Sequence, residues 1–248
     1  MMKHLILSVF ALIAAISADA QKVIIDLTSG ETVAYDASEV SKIKFVEDSH
    51  EYVDLGLSVL WATCNVGADN CYDYGDYFAW GETTGYNSGK TSFSWDTYFD
   101  TTDGGSTFSK YSTSAKTVLD KEDDAAYANW GGKWRMPTGS ELQVLCNTKN
   151  CIWTWYDAGN SEFNGVAGYK VQSLKQGYTD KYIFLPAAGY LRGSSLSYAG
   201  SCGYYWSSSL GPSYSASASF LYFKNSDCTM DWDYGRYVGR CVRPVTDK

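Results

Sequence analysis

The chain has 248 residues, room for one sizeable domain and a small extra module but not for two full-sized domains. Twenty Lys and Arg against 28 Asp and Glu leave a net charge of −8 with no basic cluster, which excludes partners held through a phosphate backbone, nucleic acid among them. With 21 Tyr, 9 Trp and 23 Gly but 4 Pro, the composition favours short strands and aromatic packing, and an apolar content of 45% excludes a disordered chain.

Residues 1–20 read as a secretory signal. Met1-Met-Lys-His4 is a short basic end, the apolar run from Leu5 to Ile16 is 12 residues long, and Ala18-Asp-Ala20 is a small-x-small cleavage site. A bilayer span needs about 20 apolar residues, so no membrane span is expected. The exported chain then begins at Gln21 and works in the periplasm, on the cell surface or outside the cell.

Residues 21–48 form a small β module of their own. Val23-Ile-Ile-Asp-Leu27 and Glu31-Thr-Val-Ala-Tyr35 flank a Ser29-Gly30 turn, Asp36 caps one helical turn, and Lys42-Ile-Lys-Phe-Val46 is a third strand. Residues 47–50 are a polar linker. The main domain runs over 51–246, starting with a strand at Leu57-Ser-Val-Leu-Trp-Ala62 and passing through a Ser/Thr/Gly-rich loop region at 83–113. Two helices are predicted. One covers 119–130, with Glu122, Asp123 and Asp124 near its positive end and Gly131-Gly132 as its stop. The second begins at Thr138, where Thr138 and Glu141 make a capping-box pattern after Pro137.

From Ile152 onward the pattern is β-rich. The runs Gly203-Tyr-Tyr-Trp-Ser-Ser-Ser209 and Ala218-Ser-Phe-Leu-Tyr-Phe223 alternate, and Asn225-Ser-Asp227 marks a hairpin turn. A third run, 237–245, is expected to return along that hairpin and to bring the end of the domain beside its start. The fold class is therefore α+β, with paired terminal strands and two helices.

Catalytic groups are sparse. After removal of the signal the chain holds one histidine, His50, in the linker and expected to face solvent, so a Ser-His-Asp or Cys-His site has little support. The Asp123/Asp124 pair is explained by the helix dipole. Asp231-Trp-Asp-Tyr234 puts two acids on one strand face and two aromatics on the other, read either as half-buried packing with solvated acids or as a ligand-binding rim. Glu-Pro-Asn, Gln-Pro-Asp and Trp-Asn-Asp tripeptides, which place oxygens around calcium in lectins, do not occur. No metal or cofactor is expected, and no enzymatic activity.

The seven cysteines contain no Cys-x-x-Cys and sit apart from His, which favours disulfides or inert thiols over zinc. An odd number leaves at least one unpaired or joined to another chain.

Seven ordered motifs carry a resemblance: Tyr52-Val-Asp-Leu-Gly-Leu57, Trp61-Ala-Thr-Cys-Asn-Val-Gly67, Tyr74-Gly-Asp-Tyr-Phe-Ala-Trp-Gly-Glu82, Trp130-Gly-Gly-Lys-Trp-Arg-Met-Pro-Thr138, Phe184-Leu-Pro-Ala-Ala-Gly-Tyr190, Tyr204-Tyr-Trp-Ser-Ser-Ser209 and Val242-Arg-Pro-Val245. Over residues 51–245 the chain resembles the Fibrobacter succinogenes major paralogous domain, a family of exported proteins that looks like a branch of the C-type lectin-like, loop-in-a-loop fold. The resemblance implies a Cys64 to Cys151 bridge and leaves the other five cysteines open. It also implies recognition by loops near the C-terminus, where Tyr198, Tyr214, Asn225, Asp231, Trp232, Asp233 and Tyr234 lie in Ser/Tyr/Asn/Asp-rich stretches suited to adaptable binding. The expected function is non-enzymatic binding of a glycan or a surface protein. The alternative is a structural or assembly subunit of a cell-surface complex, joined into oligomers by spare cysteines.

Overall fold

The computed structural model describes residues 22–26, 32–36, 50–231 and 235–248. The signal segment, the rest of the N-terminal module, and Trp232, Asp233 and Tyr234 lie outside the described residues. The chain divides into two compact units, Met1–Glu47 and Asp48–Lys248. In the first, β1 (Lys22–Asp26) and β2 (Thr32–Asp36) pair antiparallel over all five positions.

The second unit is an α+β arrangement of small antiparallel sheets and two helices. Its ends are paired. The central strand β4 (Val59–Ala62) lies between β3 (Tyr52–Asp54) and β13 (Val245–Asp247), with Val245 opposite Trp61. All four β4 side chains are buried, which is why this strand reads as a continuous apolar run rather than an alternating one.

Helix α1 (Ala125–Trp130) is shorter than the predicted span. Residues Lys121–Asp123 form a separate 3-10 turn, and the extended backbone of Asp124 (φ −85°, ψ 112°) interrupts the two. Asp124 is therefore an N-cap rather than a first-turn acid: its carboxylate accepts from the amides of Ala126 (2.9 Å) and Tyr127 (3.0 Å), and from the Met136 amide (2.8 Å) across the bend. Helix α2 (Gly139–Cys146) starts with the expected capping box. The Thr138 hydroxyl accepts from the Glu141 amide at 3.2 Å, and Glu141 accepts from the Thr138 amide at 2.8 Å.

Three further sheets follow. β5 (Cys151–Tyr156), β6 (Gly168–Ser173) and β7 (Tyr182–Pro186) make a meander, β8 (Tyr190–Arg192) and β9 (Ser195–Ser197) a hairpin, and β10 (Cys202–Leu210), β11 (Ala218–Lys224) and β12 (Asp227–Asp231) the last sheet, in that order. This last sheet lies between two apolar clusters. Tyr205, Leu221 and Phe223 face the cluster containing Leu142, Leu145 and Val171, whereas Trp206 and Phe220 face the one containing Trp80, Ala126 and Met136.

Segment 237–245 departs from expectation. It does not extend the hairpin; it meets β10 through one parallel bridge, Tyr205 to Cys241, and bridges Leu191 through Gly239 and Phe78 through Arg240. The reason lies in its arginines. Arg240 and Arg243 within it, and Arg236 just before it, are fully buried, and their guanidiniums need acceptors and aromatic faces on several elements at once. Arg243 donates to Asn65 Oδ1 (2.8 Å) and to the carbonyls of Thr63 (2.7 Å), Ala62 (3.1 Å) and Phe184 (2.9 Å). Arg236 meets Asp100 at 3.3 Å, and the same carboxylate accepts from the amides of Ser109 and Lys110, tying the loop region to the core.

Candidate recognition surface

Strand pairing decides which residues share a face. Tyr204 is opposite Tyr222 and Trp206 is opposite Phe220, and β12 adds Thr229 opposite Tyr222 and Asp231 opposite Phe220. By alternation all six lie on one face of the sheet. At one end this face is closed, with Trp206 and Phe220 buried. Toward Cys202 the covering layer stops, and Tyr204 and Tyr222 are left half-buried.

Two more tyrosines extend the half-open part. Tyr190 of β8 meets Tyr204 edge-on, with ring centroids 5.0 Å apart at 86°, and Tyr198 lies against Tyr190 at 5.9 Å. Tyr204 and Tyr222 are 5.1 Å apart. Tyr190, Tyr198, Tyr204 and Tyr222 thus form a contiguous aromatic platform, and Tyr198 at its end is 58% exposed. Buried Arg240 backs it: its guanidinium carbon lies 3.3 Å from the Phe220 centroid, 4.2 Å from that of Trp206 and 5.6 Å from that of Tyr204.

Backbone geometry positions the outer tyrosines. Gly189, which enters β8, has φ +67°, and a Cβ there would lie 2.1 Å from the Ser197 carbonyl oxygen, so no other residue fits. Tyr198 itself has φ +59°, uncommon for a residue with a large side chain. Its carbonyl accepts from the amides of Ser201 (3.1 Å) and Cys202 (3.0 Å) and from the Ser201 hydroxyl (2.9 Å), which holds the left-handed backbone in place.

The Tyr204 and Tyr222 hydroxyls are donors at neutral pH. Burial, then the neighbouring Cys202 thiol, pushes Tyr222 up to about 12 and carries Tyr204 well above the ordinary phenol range. The surface therefore offers ring faces and O–H groups, and the half-buried Asp231 lies on the same sheet face opposite Phe220.

The residues expected to bind do not all meet. Tyr198 belongs to the platform, Asp231 shares its face, and Asn225 is exposed in the turn that closes β11 and β12, its carbonyl accepting from the Tyr169 hydroxyl at 3.0 Å. Tyr214, 66% exposed, lies beyond the opposite end of β10 from Tyr198, roughly 26 Å of strand away at ~3.3 Å per residue. Trp232, Asp233 and Tyr234 fall outside the described residues. Tyr190, Tyr204 and Tyr222 were not among the residues expected to bind; the period of two around Tyr204 and Tyr222 is the signal that places them on one face.

A second concavity, about 800 Å³, runs between the β3–β4 end and β7. His50, expected to face solvent, is half-buried in its wall: the imidazole stacks on Trp130 at 3.6 Å and 6° and meets Trp134 edge-on at 6.3 Å. The half-buried Trp130 and the buried Trp134 together give the ring an aromatic seat. Cys64 and Cys71 line the same groove, but burial pushes the Cys71 thiol up, opposite to the shift that makes a nucleophile.

All seven cysteines are free thiols in the structure, so the Cys64 to Cys151 bridge is not formed. Cys64 Sγ donates to the Asp69 carbonyl at 3.7 Å on the groove wall, whereas Cys151 is fully buried at the start of β5.

Comparison with protein-family models, curated proteins and solved structures finds no match. Among the described residues no group of three or more His, Cys, Asp and Glu is placed to hold a metal ion, and no helix is long and apolar enough to cross a membrane.

Proposed function

We propose that this is an exported, non-enzymatic recognition domain of C-type lectin-like fold, related to the Fibrobacter succinogenes major paralogous domain, and that it binds a glycan or a surface protein. The observation that carries the reading is the platform of Tyr190, Tyr198, Tyr204 and Tyr222, a run of half-open rings backed by the buried Trp206, Phe220 and Arg240. The pairing of β4 with β13 and the presence of two helices support the fold assignment.

Aromatic faces stack on the apolar face of a sugar ring or on apolar protein side chains, and tyrosine does so at low entropic cost because it has two side-chain torsions. Rigid backing matters equally. A ring already held in its binding orientation gives up little freedom when ligand arrives. The phenol hydroxyls then supply donors at the edge of the stack.

Screening the exported chain on a glycan array, with and without a calcium chelator, tests the proposal. Specific binding that falls by about tenfold or more in Tyr222→Ala and Tyr198→Ala, with unchanged near-UV circular dichroism, is the expected result. Binding untouched by both substitutions sinks the platform as the site, and a blank array on folded protein, followed by no captured surface protein, shifts the reading to an assembly subunit.

A further inference from the structure

Cys146 closes helix α2, and Cys228 is the second residue of β12. Their sulfurs are 3.1 Å apart, 82 residues apart in sequence, with the Cys228 S–H donating to Cys146 Sγ. The contact follows from the register. Cys228 is opposite Phe223 and so lies on the sheet face turned away from the tyrosine platform, where α2 packs with Leu142 and Leu145 buried. The two thiols need to close by about 1 Å to reach the ~2.05 Å of a disulfide. The sulfurs of Cys64 and Cys241 are instead directed at carbonyl oxygens, at 3.7 and 3.3 Å, and that of Cys202 at the Tyr222 hydroxyl, at 3.9 Å.

We propose that Cys146 and Cys228 form a disulfide in the exported protein, fastening α2 to the edge strand of the platform sheet. The oxidant is a disulfide of the compartment, protein or small-molecule. The Cys146 thiol loses its proton to solvent and its thiolate attacks one sulfur of that disulfide, expelling the other as a thiolate. Cys228 then gives up its proton and attacks Cys146 Sγ, releasing the second sulfur of the oxidant. Two thiols are oxidised, one disulfide is reduced, and the two protons end on the departing thiolates. The Cys228 S–H is engaged on Cys146 Sγ, so Cys146 makes the first attack.

The linkage rests on the export reading but its geometry does not, and the test separates the two. Purified full-length chain is equilibrated with oxidised glutathione, alkylated and digested without reduction; in parallel, chain recovered from the periplasm or medium is treated the same way without added oxidant. The expected result in both arms is one linked peptide pair containing Cys146 and Cys228. Reduction lowers the wild-type Tm by on the order of 10 °C. Reduction leaves the Tm of Cys146→Ser and Cys228→Ser largely unchanged. Linkage in the glutathione arm alone overturns export as the setting, and alkylation of both cysteines in both arms, or linkage of either to Cys151 or Cys64, overturns the proposal itself.

Discussion

Tyr204 and Tyr222 stand directly opposite each other on β10 and β11, ring centroids 5.1 Å apart at 43°. A cross-strand aromatic pair contributes roughly 0.5–1 kcal/mol beyond the area it buries. In a double-mutant cycle of Tyr204→Ala and Tyr222→Ala, urea melts are expected to give a coupling energy of that size. Additive losses would show that the rings do not support each other and that the platform is not pre-arranged.

Arg135 connects the start of α2 to the end of the chain. It makes two bonds to Glu141, at 2.8 and 2.9 Å, and one to Asp247 at 2.7 Å. Burial pushes the Glu141 carboxyl up, but the bonds from Arg135 and from the Thr138 amide outweigh it and hold the group below its ordinary 4.5. A depressed carboxyl stabilises the fold above its unfolded value and loses that contribution as pH falls through the folded one. Wild-type Tm is therefore expected to fall more steeply between about pH 5 and about pH 3 than that of Glu141→Gln, which keeps the capping geometry. Parallel pH profiles would remove Glu141 as the titrating group.

Arg243 fills a fully buried site with four acceptors and no carboxylate among them. Removing it leaves Asn65 and three carbonyls without their donor, at about 1–3 kcal/mol for each group that water cannot reach. Arg243→Ala is expected to abolish the cooperative thermal transition, and Arg243→Lys to keep it with a lowered Tm because one ammonium cannot span four acceptors. A near-native melt for Arg243→Ala would contradict this account.

Gly189→Ala tests the turn that carries Tyr190 toward Tyr204. The added methyl meets the Ser197 carbonyl and the positive φ is strained for any residue with a Cβ. Loss of about 2 kcal/mol or more in stability, together with weakened ligand binding, is expected. Retained stability and binding would mean that the β8–β9 hairpin does not depend on this backbone shape.

Asp124 holds two segments with one carboxylate, capping α1 and accepting from Met136. Asp124→Ala is expected to cost about 2 kcal/mol in a denaturant melt, toward the upper end for an N-cap because the site is buried. A change below a few tenths would reduce the contact to a surface cap.

Features set by neighbours along the chain were legible in the sequence. The Thr138–Glu141 capping box, the buried run of β4 and the hairpin around Asn225 and Ser226 follow from propensity, period and turn chemistry. The fine boundary of α1 was not, because the Met136 amide that helps fix Asp124 in an extended conformation comes from 12 residues further on.

The sequence by itself determined an α+β chain with aromatic interior and alternating strands near the C-terminus, since those depend on short-range pattern and on hydrophobicity. Only the tertiary structure decided that Tyr190 and Tyr198 join Tyr204 and Tyr222, that Tyr214 does not, that His50 stacks on Trp130, and that Cys146 meets Cys228. The physical reason is common to all four. Each depends on which faces of distant elements are brought together, and that is settled by burying the arginines of 236–243 and the apolar clusters on either side of the last sheet, not by any residue's neighbours in the chain.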